Sequence, residues 1–146
     1  MAKGYPDFFG YSVFPYYGDL LNQDVLVAGV VANDTATLFE ISHKGILFGG
    51  YLYLFSTDAP PNDLLVVTVD GSVVFSDSCF HLYSFGYTDV GSTFLCLRSL
   101  NYVDKHRTLE FNRQISFSTE FKVELTAGAL SDIVTVGRIA YTAIVT

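Results

Sequence analysis

The chain has 146 residues, half of them hydrophobic and only 16% charged, with a net charge of −7. An average chain carries about a quarter charged residues. Its eight Lys and Arg residues are scattered, so a phosphate-tracking surface is excluded, and with it nucleic acid as the main partner. The length suits one domain with a core of its own. The apolar excess is aromatic and β-branched, with 13 Phe, 10 Tyr and no Trp. A single domain of this size has limited interior, so part of this surface is expected to meet another protein, as in an oligomer or assembly subunit. No run of about 18 apolar residues escapes a charge or turn signal, which argues against a membrane-spanning helix. Met1-Ala2-Lys3-Gly4 leads into Tyr and Pro rather than an apolar stretch, so no secretory signal is expected and the chain reads as cytosolic in origin.

Residues 1–24 form a segment apart. Tyr5, Phe8, Phe9, Tyr11, Phe14, Tyr16 and Tyr17 crowd between Pro6, Gly10, Pro15 and Gly18. The prolines exclude a regular helix and disfavour a central strand. The aromatics exclude an ordinary solvated tail. An extended arm lying on an apolar surface is predicted, either its own domain or a neighbouring subunit, with those seven aromatics as the anchors.

Residues 25–146 then read as one β domain. A strand over 25–31 leads to a turn at Asn33-Asp34 and a strand over 37–42. The next, over 46–55, contains Gly49-Gly50, which predicts a bulge or a close backbone approach. Within it Tyr51, Tyr53 and Phe55 alternate with Leu52 and Leu54, so both faces are expected to be covered. A loop follows over 58–63. Strands over 64–69 and 73–76 flank Asp70-Gly71, the strongest hairpin signal in the chain, because a type I′ turn needs positive φ at both positions. Residues 77–91 read as irregular, 92–100 as a strand, and 101–107 as a polar turn.

From Leu109 to Leu125 apolar and polar residues alternate in one phase. Leu109, Phe111, Ile115, Phe117, Phe121, Val123 and Leu125 share one parity, broken only by Arg113 and Thr119. This is the signature of antiparallel strands buried on one face. Seventeen residues at about 3.3 Å each are too long for one strand, so a bend is predicted near 112–114 or 118–120. A last strand over 131–145 is apolar on both parities and is expected mid-sheet or at a subunit contact. Eight or nine strands and no helix give an all-β, antiparallel β-sandwich, jelly-roll-like, with an extended N-terminal arm.

Constellations for chemistry are weak. His43, His81 and His106 have no metal-ligand spacing and read as ordinary turn or strand residues. Cys79 and Cys96 lie in apolar runs and read as buried thiols. Asp58, Asp63 and Asp70 match no calcium loop and read as turn residues. Asp104-Lys105-His106-Arg107 reads as a solvated charged tip. No metal, nucleotide or other cofactor is expected. Exposed tyrosines and acidic loops over 56–63 and 77–91, including Tyr83 and Tyr87, leave a carbohydrate- or receptor-binding module as the alternative.

Tyr5-Pro6-Asp7-Phe8-Phe9-Gly10, followed by Phe14-Pro15 and Gly18, resembles the N-terminal arm of small structural proteins of tailed bacteriophages. Leu38 to Gly50 resembles their strand, Gly turn, strand opening, and Val67-Thr68-Val69-Asp70-Gly71 the hairpin that follows. Leu109-Glu110-Phe111-Asn112, Phe117 to Glu124 and the final strand near Tyr141 resemble their C-terminal half. The resemblance implies a non-enzymatic virion component: a capsid decoration, head-fibre or tail subunit. It implies a location in the virion and assembly in the host cytoplasm. Its partners would be itself, as a homotrimer, and other virion proteins such as a major capsid protein.

Overall fold

The computed structural model describes residues 20–56, 63–84, 95–101, 103–129 and 132–144. In chain order these form β1 (Leu20–Val30), β2 (Thr35–Ile41), β3 (Lys44–Ser56), β4 (Leu64–Val69), β5 (Ser72–Ser78), a short helix α1 (Cys79–Ser84), β6 (Leu95–Asn101), β7 (His106–Phe111), β8 (Ile115–Phe117), β9 (Phe121–Thr126) and β10 (Ile133–Ile144). All strand pairs are antiparallel. One sheet, A, has the order β1-β10-β3-β7-β6 with β8 also on β3; the other, B, has the order β2-β9-β4-β5.

The pairing is that of a rolled-up hairpin. The first strand pairs with the last, β2 with β9, β3 with β7 and β8, and β4 with β5. This is the jelly-roll arrangement, with β6 added at one edge of sheet A. The alternation over 109–125 supplies three strands, and both candidate bends are used. β7 and β8 lie against β3, and β9 crosses to sheet B. The phase survives both bends: Leu109, Phe111, Phe117, Phe121, Val123 and Leu125 all enter the core, and Ile115 packs against it. Phe121 from sheet B meets Phe111 edge-on at 6.1 Å and Phe117 at 5.9 Å, so aromatic packing joins the two sheets.

Turns follow their residues. Asp70 and Gly71 have φ of 50° and 76°, the pair of left-handed conformations a type I′ turn requires. Asn33 has φ of 67° in the β1–β2 turn. Gly49-Gly50 sits beside a register shift on the β10 side of β3, the expected bulge. β10 lies between β1 and β3, the mid-sheet place that its two apolar parities predicted.

Four expectations differ. The described residues form ten strands rather than eight or nine, because the 109–125 run divides into three. β1 begins at Leu20, five residues ahead of the strand read from sequence, because Leu20 to Asp24 continue the ladder with β10 as far as Thr142. The stretch after Ser76 is not wholly irregular: Cys79–Ser84 is a helix. The Ser78 hydroxyl accepts the His81 N–H at 3.2 Å, an N-cap that starts it, and Asp77 pairs with His81 one turn on. The charged tip at 104–107 is only half solvated. Asn101 holds the turn by accepting from the N–H groups of Val103 and Asp104, while Arg107 is buried in β7.

Candidate interaction surface

β3 carries its side chains alternately into and out of the sandwich. Leu52, Leu54 and Ser56 point inward and are buried; Tyr51, Tyr53 and Phe55 point outward and are 46%, 37% and 44% exposed. Both faces of this strand are apolar, but only the inner one is covered: the outer face, expected from sequence to be covered too, is open in the isolated chain. The register extends that face across the sheet. Tyr53 stands between Val136 of β10 and Thr108 of β7, and Val136 stands opposite Leu26 of β1, the most exposed of these at 74%. In the adjacent row Phe55 stands between Val134 and His106. The Tyr53 and His106 rings lie 5.5 Å apart, so the aromatic surface continues onto β7.

The row on the other side of Tyr53 is charged, and its charges are closed. Arg138, opposite Tyr51, holds Asp24 with its Nε at 2.5 Å and a second nitrogen at 2.9 Å. The Asp24 carboxyl is held below its ordinary value by the hydrogen bond from Arg138. Glu110, on the other side of Tyr51, pairs with Arg98 at 2.7 Å. An apolar patch of Leu26, Val136, Val134, Tyr53 and Phe55 is thus bordered by two neutralised pairs. Apolar patches with polar rims mark places where another surface binds.

Sheet B is different. Its outer face presents Thr35, Glu40, Thr68, Ser76, Lys122, Glu124 and Thr126. Lys122 pairs with Glu124 at 2.8 Å, and the Thr35 and Thr126 hydroxyls lie 2.7 Å apart. Leu64 of β4 and Val73 and Val74 of β5 are its large exposed apolar side chains among the described residues, at opposite ends of the β4–β5 ladder. One sheet is therefore built to face water and the other is not.

The remaining candidate residues scatter. Tyr5, Phe8, Phe9, Tyr11, Phe14, Tyr16 and Tyr17 lie outside the described residues, as do Asp58 and Tyr87. Tyr83 is exposed on α1. His43 is in the β2–β3 turn, far in sequence and register from His106 beside Tyr53. Among the described residues no three His, Cys, Asp or Glu side chains come together as a metal site. Cys79 and Cys96 are both free and buried. Burial, then the Asp63 carboxylate, pushes the Cys79 thiol far above its ordinary value, and burial and Glu110 raise Cys96, so neither is poised as a nucleophile.

Asp63 and Arg107, read from sequence as loop and tip residues, form a buried ion pair instead. Arg107 Nη2 lies 2.7 Å from Asp63 Oδ2, and Arg107 Nη1 donates to Ser56 Oγ at 3.1 Å. The Cys79 thiol faces the same carboxylate oxygen at 3.7 Å. The Nη2 contact lacks hydrogen-bond alignment, so it is coulombic, and Asp63 Oδ1 and Arg107 Nε have no partner among the described residues. This cluster ties β7 of sheet A to the start of β4 in sheet B.

No family model matches the chain, and no curated protein matches it. Among solved structures it is similar to the cyanophage Pam1 capsid asymmetric unit, at 15% identity over 86% of this chain and 84% of that one, with a TM-score of 0.45. It is also similar to the infectious bursal disease virus Gx strain structure, at 17% identity and a TM-score of 0.40, over 85% of this chain and 30% of that one. The VP2 subviral particle of infectious bursal disease virus is similar at 15% identity and a TM-score of 0.38, over 85% of this chain and 29% of that one.

Proposed function

We propose that this protein is a non-enzymatic structural subunit of a virion, a capsid decoration or head or tail accessory protein that works by protein–protein binding. The observation that carries the reading is the outer face of sheet A, where Leu26, Tyr53, Phe55 and Val136 are exposed together in the isolated chain. A jelly roll serves capsids and lectins alike, so the fold alone does not assign the role. The aromatic arm gives the binding its second half. Fully burying a large apolar side chain is worth about 1.5–3 kcal/mol, so a few of Tyr5, Phe8, Phe9, Tyr11, Phe14, Tyr16 and Tyr17 would hold a subunit on its neighbour without chemistry. The partners are further copies of this chain, as a homotrimer, and a major capsid protein.

The test is the solution mass by light scattering of the full chain and of a chain lacking residues 1–18. The expected result is an oligomer that dissociates on truncation while the far-UV circular dichroism of the sandwich is retained. A truncated protein that still oligomerises and binds particles normally would overturn the arm mechanism.

A further inference from the structure

We propose that the outer face of sheet A around Leu26, Tyr53, Phe55 and Val136 is the seat for the aromatic arm of a second copy of this chain. This deepens the reading above by naming the surface that the arm meets. Four observations converge on it.

The chemistry matches. Between Tyr5 and Tyr17 the arm has seven aromatic residues and one charge, Asp7. The face offers two aromatic rings in adjacent rows, with Val134, Val136 and Leu26 beside them. Aromatic and β-branched side chains pack well against such rings. The neighbouring Asp24–Arg138 and Arg98–Glu110 pairs are closed within the sheet, so an apolar arm laid across the patch strands no lone charge.

The direction of the chain favours a second copy over the same one. β1 starts at Leu20 opposite Thr142 and runs toward the end of the sheet where Leu26 meets Val136 and Phe55 meets Val134. The arm therefore joins the sheet at the end away from the patch. To reach its own patch the chain has to reverse direction somewhere ahead of Leu20 and run back about 20 Å, six residues at about 3.3 Å each. The fifteen residues from Tyr5 to Asp19, if extended, span up to about 50 Å, long enough to lie across a neighbouring subunit.

The prolines favour a face over an edge. Pro6 and Pro15 lack the N–H that pairing along an open strand edge would use, whereas side-chain packing on a face does not need it.

Charge favours the arm over a face-to-face dimer. In residues 1–18 Lys3 and Asp7 cancel, so the full −7 resides in the rest of the chain. Bringing two such bodies together face to face opposes like charges, while an uncharged arm reaching across keeps the bodies apart.

The experiment places the photo-crosslinking residue p-benzoylphenylalanine at position 53 of the full-length chain, mixed with an equal amount of 15N-labelled chain. Crosslinked peptides are then mapped by mass. The expected product joins position 53 to a peptide within residues 5–17 of the other isotope. A second measurement is light scattering of the full chain carrying Tyr53→Ser with Phe55→Ser. Its melting curve reports the fold, and its mass is expected to fall to that of the monomer, as on removal of residues 1–18. Crosslinks to the arm of the same chain alone would overturn the proposal, as would crosslinks to the sheet A face of the partner. If truncation of the arm dissociates the oligomer but the Tyr53 and Phe55 substitutions do not, the arm seats elsewhere: this proposal fails while the arm's role stands. If truncation itself changes nothing, the arm mechanism of the proposed function fails with it.

Discussion

Arg107 is 1% exposed and its guanidinium lies 2.7 Å from a carboxylate that is equally buried. Two charges removed from water are costly unless each answers the other, and removing one partner leaves a bare buried charge. Arg107→Met and Asp63→Leu are each expected to destabilise the sandwich by about 3–5 kcal/mol, read from urea midpoints. Replacing both at once, Asp63→Leu with Arg107→Met, is expected to recover most of that loss, because a pair replaced by apolar groups leaves nothing unpaired. Additive losses in the double variant would show that the two residues act separately. Asp70 tests the opposite case, an exposed carboxylate. It accepts the N–H groups of Ser118, Thr119 and Glu120 at 2.7–3.1 Å and so holds the β8–β9 turn against the β4–β5 turn. Those three donors lower its pKa from 3.8 to about 2. A depressed folded pKa contributes stability that is present above about pH 4 and lost as pH falls through about 2. The urea midpoint is therefore expected to fall between pH 4 and pH 2, and to fall less steeply over that range in Asp70→Asn. Equal slopes in both proteins would place the acid sensitivity elsewhere.

Within β3, close approach of backbones decides what a residue can be. A Cβ on Gly50 would meet the Arg138 carbonyl oxygen and, at 2.8 Å, both Cα and Cγ2 of Ile139. Most of that obstacle is the backbone of β10 and cannot rotate away. Gly50→Ala is expected to cost about 1–3 kcal/mol or more, as the ladder must part. Gly29 in β1 has nothing within 4 Å of the same added atom. Gly29→Ala is expected to be neutral or to stabilise by about 0.4–1 kcal/mol through the unfolded chain. In thermal melts the midpoint is expected to fall for Gly50→Ala and to hold or rise for Gly29→Ala. Sequence carries the first of these contrasts, since paired glycines inside an apolar strand already mark a bulge or close contact. It also carries the alternation over 109–125 and the Asp70-Gly71 hairpin, because period and turn chemistry are local. It does not carry Cys79–Ser84, whose six residues are too few for a helical period and whose signal is only Ser78 three residues before His81. Nor does it carry the burial of Arg107, whose partner Asp63 is brought beside it by the pairing of β3 with β7 and by the packing of the two sheets. The exposed row of Tyr51, Tyr53 and Phe55 is half legible. The strand composition shows that both faces are apolar, and only the layer order shows which of them this domain leaves open.

The rolled-up topology brings strands from near the two ends of the described chain together. β1 joins Leu20 to Thr142, and β2 joins Thr35 to Thr126, so one edge ladder of each sheet needs contacts from far along the sequence. Loop closure of that length comes before the contacts that reward it, and folding is expected on the millisecond-to-second scale of non-local β proteins. The same topology makes the seam between the sheets the part that opens only when the whole domain opens. Cys79 lies in that seam, packed in the core beside Asp63, with its thiol disfavoured as a thiolate by burial and by the carboxylate. Cys96 lies instead on the edge strand β6, opposite Glu110. A thiolate is the reacting species, so labelling by iodoacetamide reads how often each site opens to water. Cys79 is expected to label at a rate that rises with urea along the global unfolding curve. In water that rate falls below the unfolded rate by the unfolding equilibrium constant, about 10³-fold or more. Cys96 is expected to label faster and with a weaker dependence on urea, because releasing an edge strand exposes less surface than parting the sandwich. Peptide mapping after timed quenching separates the two. Equal rates with equal urea dependence would mean that β6 opens only with the whole domain, and rapid labelling of Cys79 in water would mean that the sheets part without global unfolding.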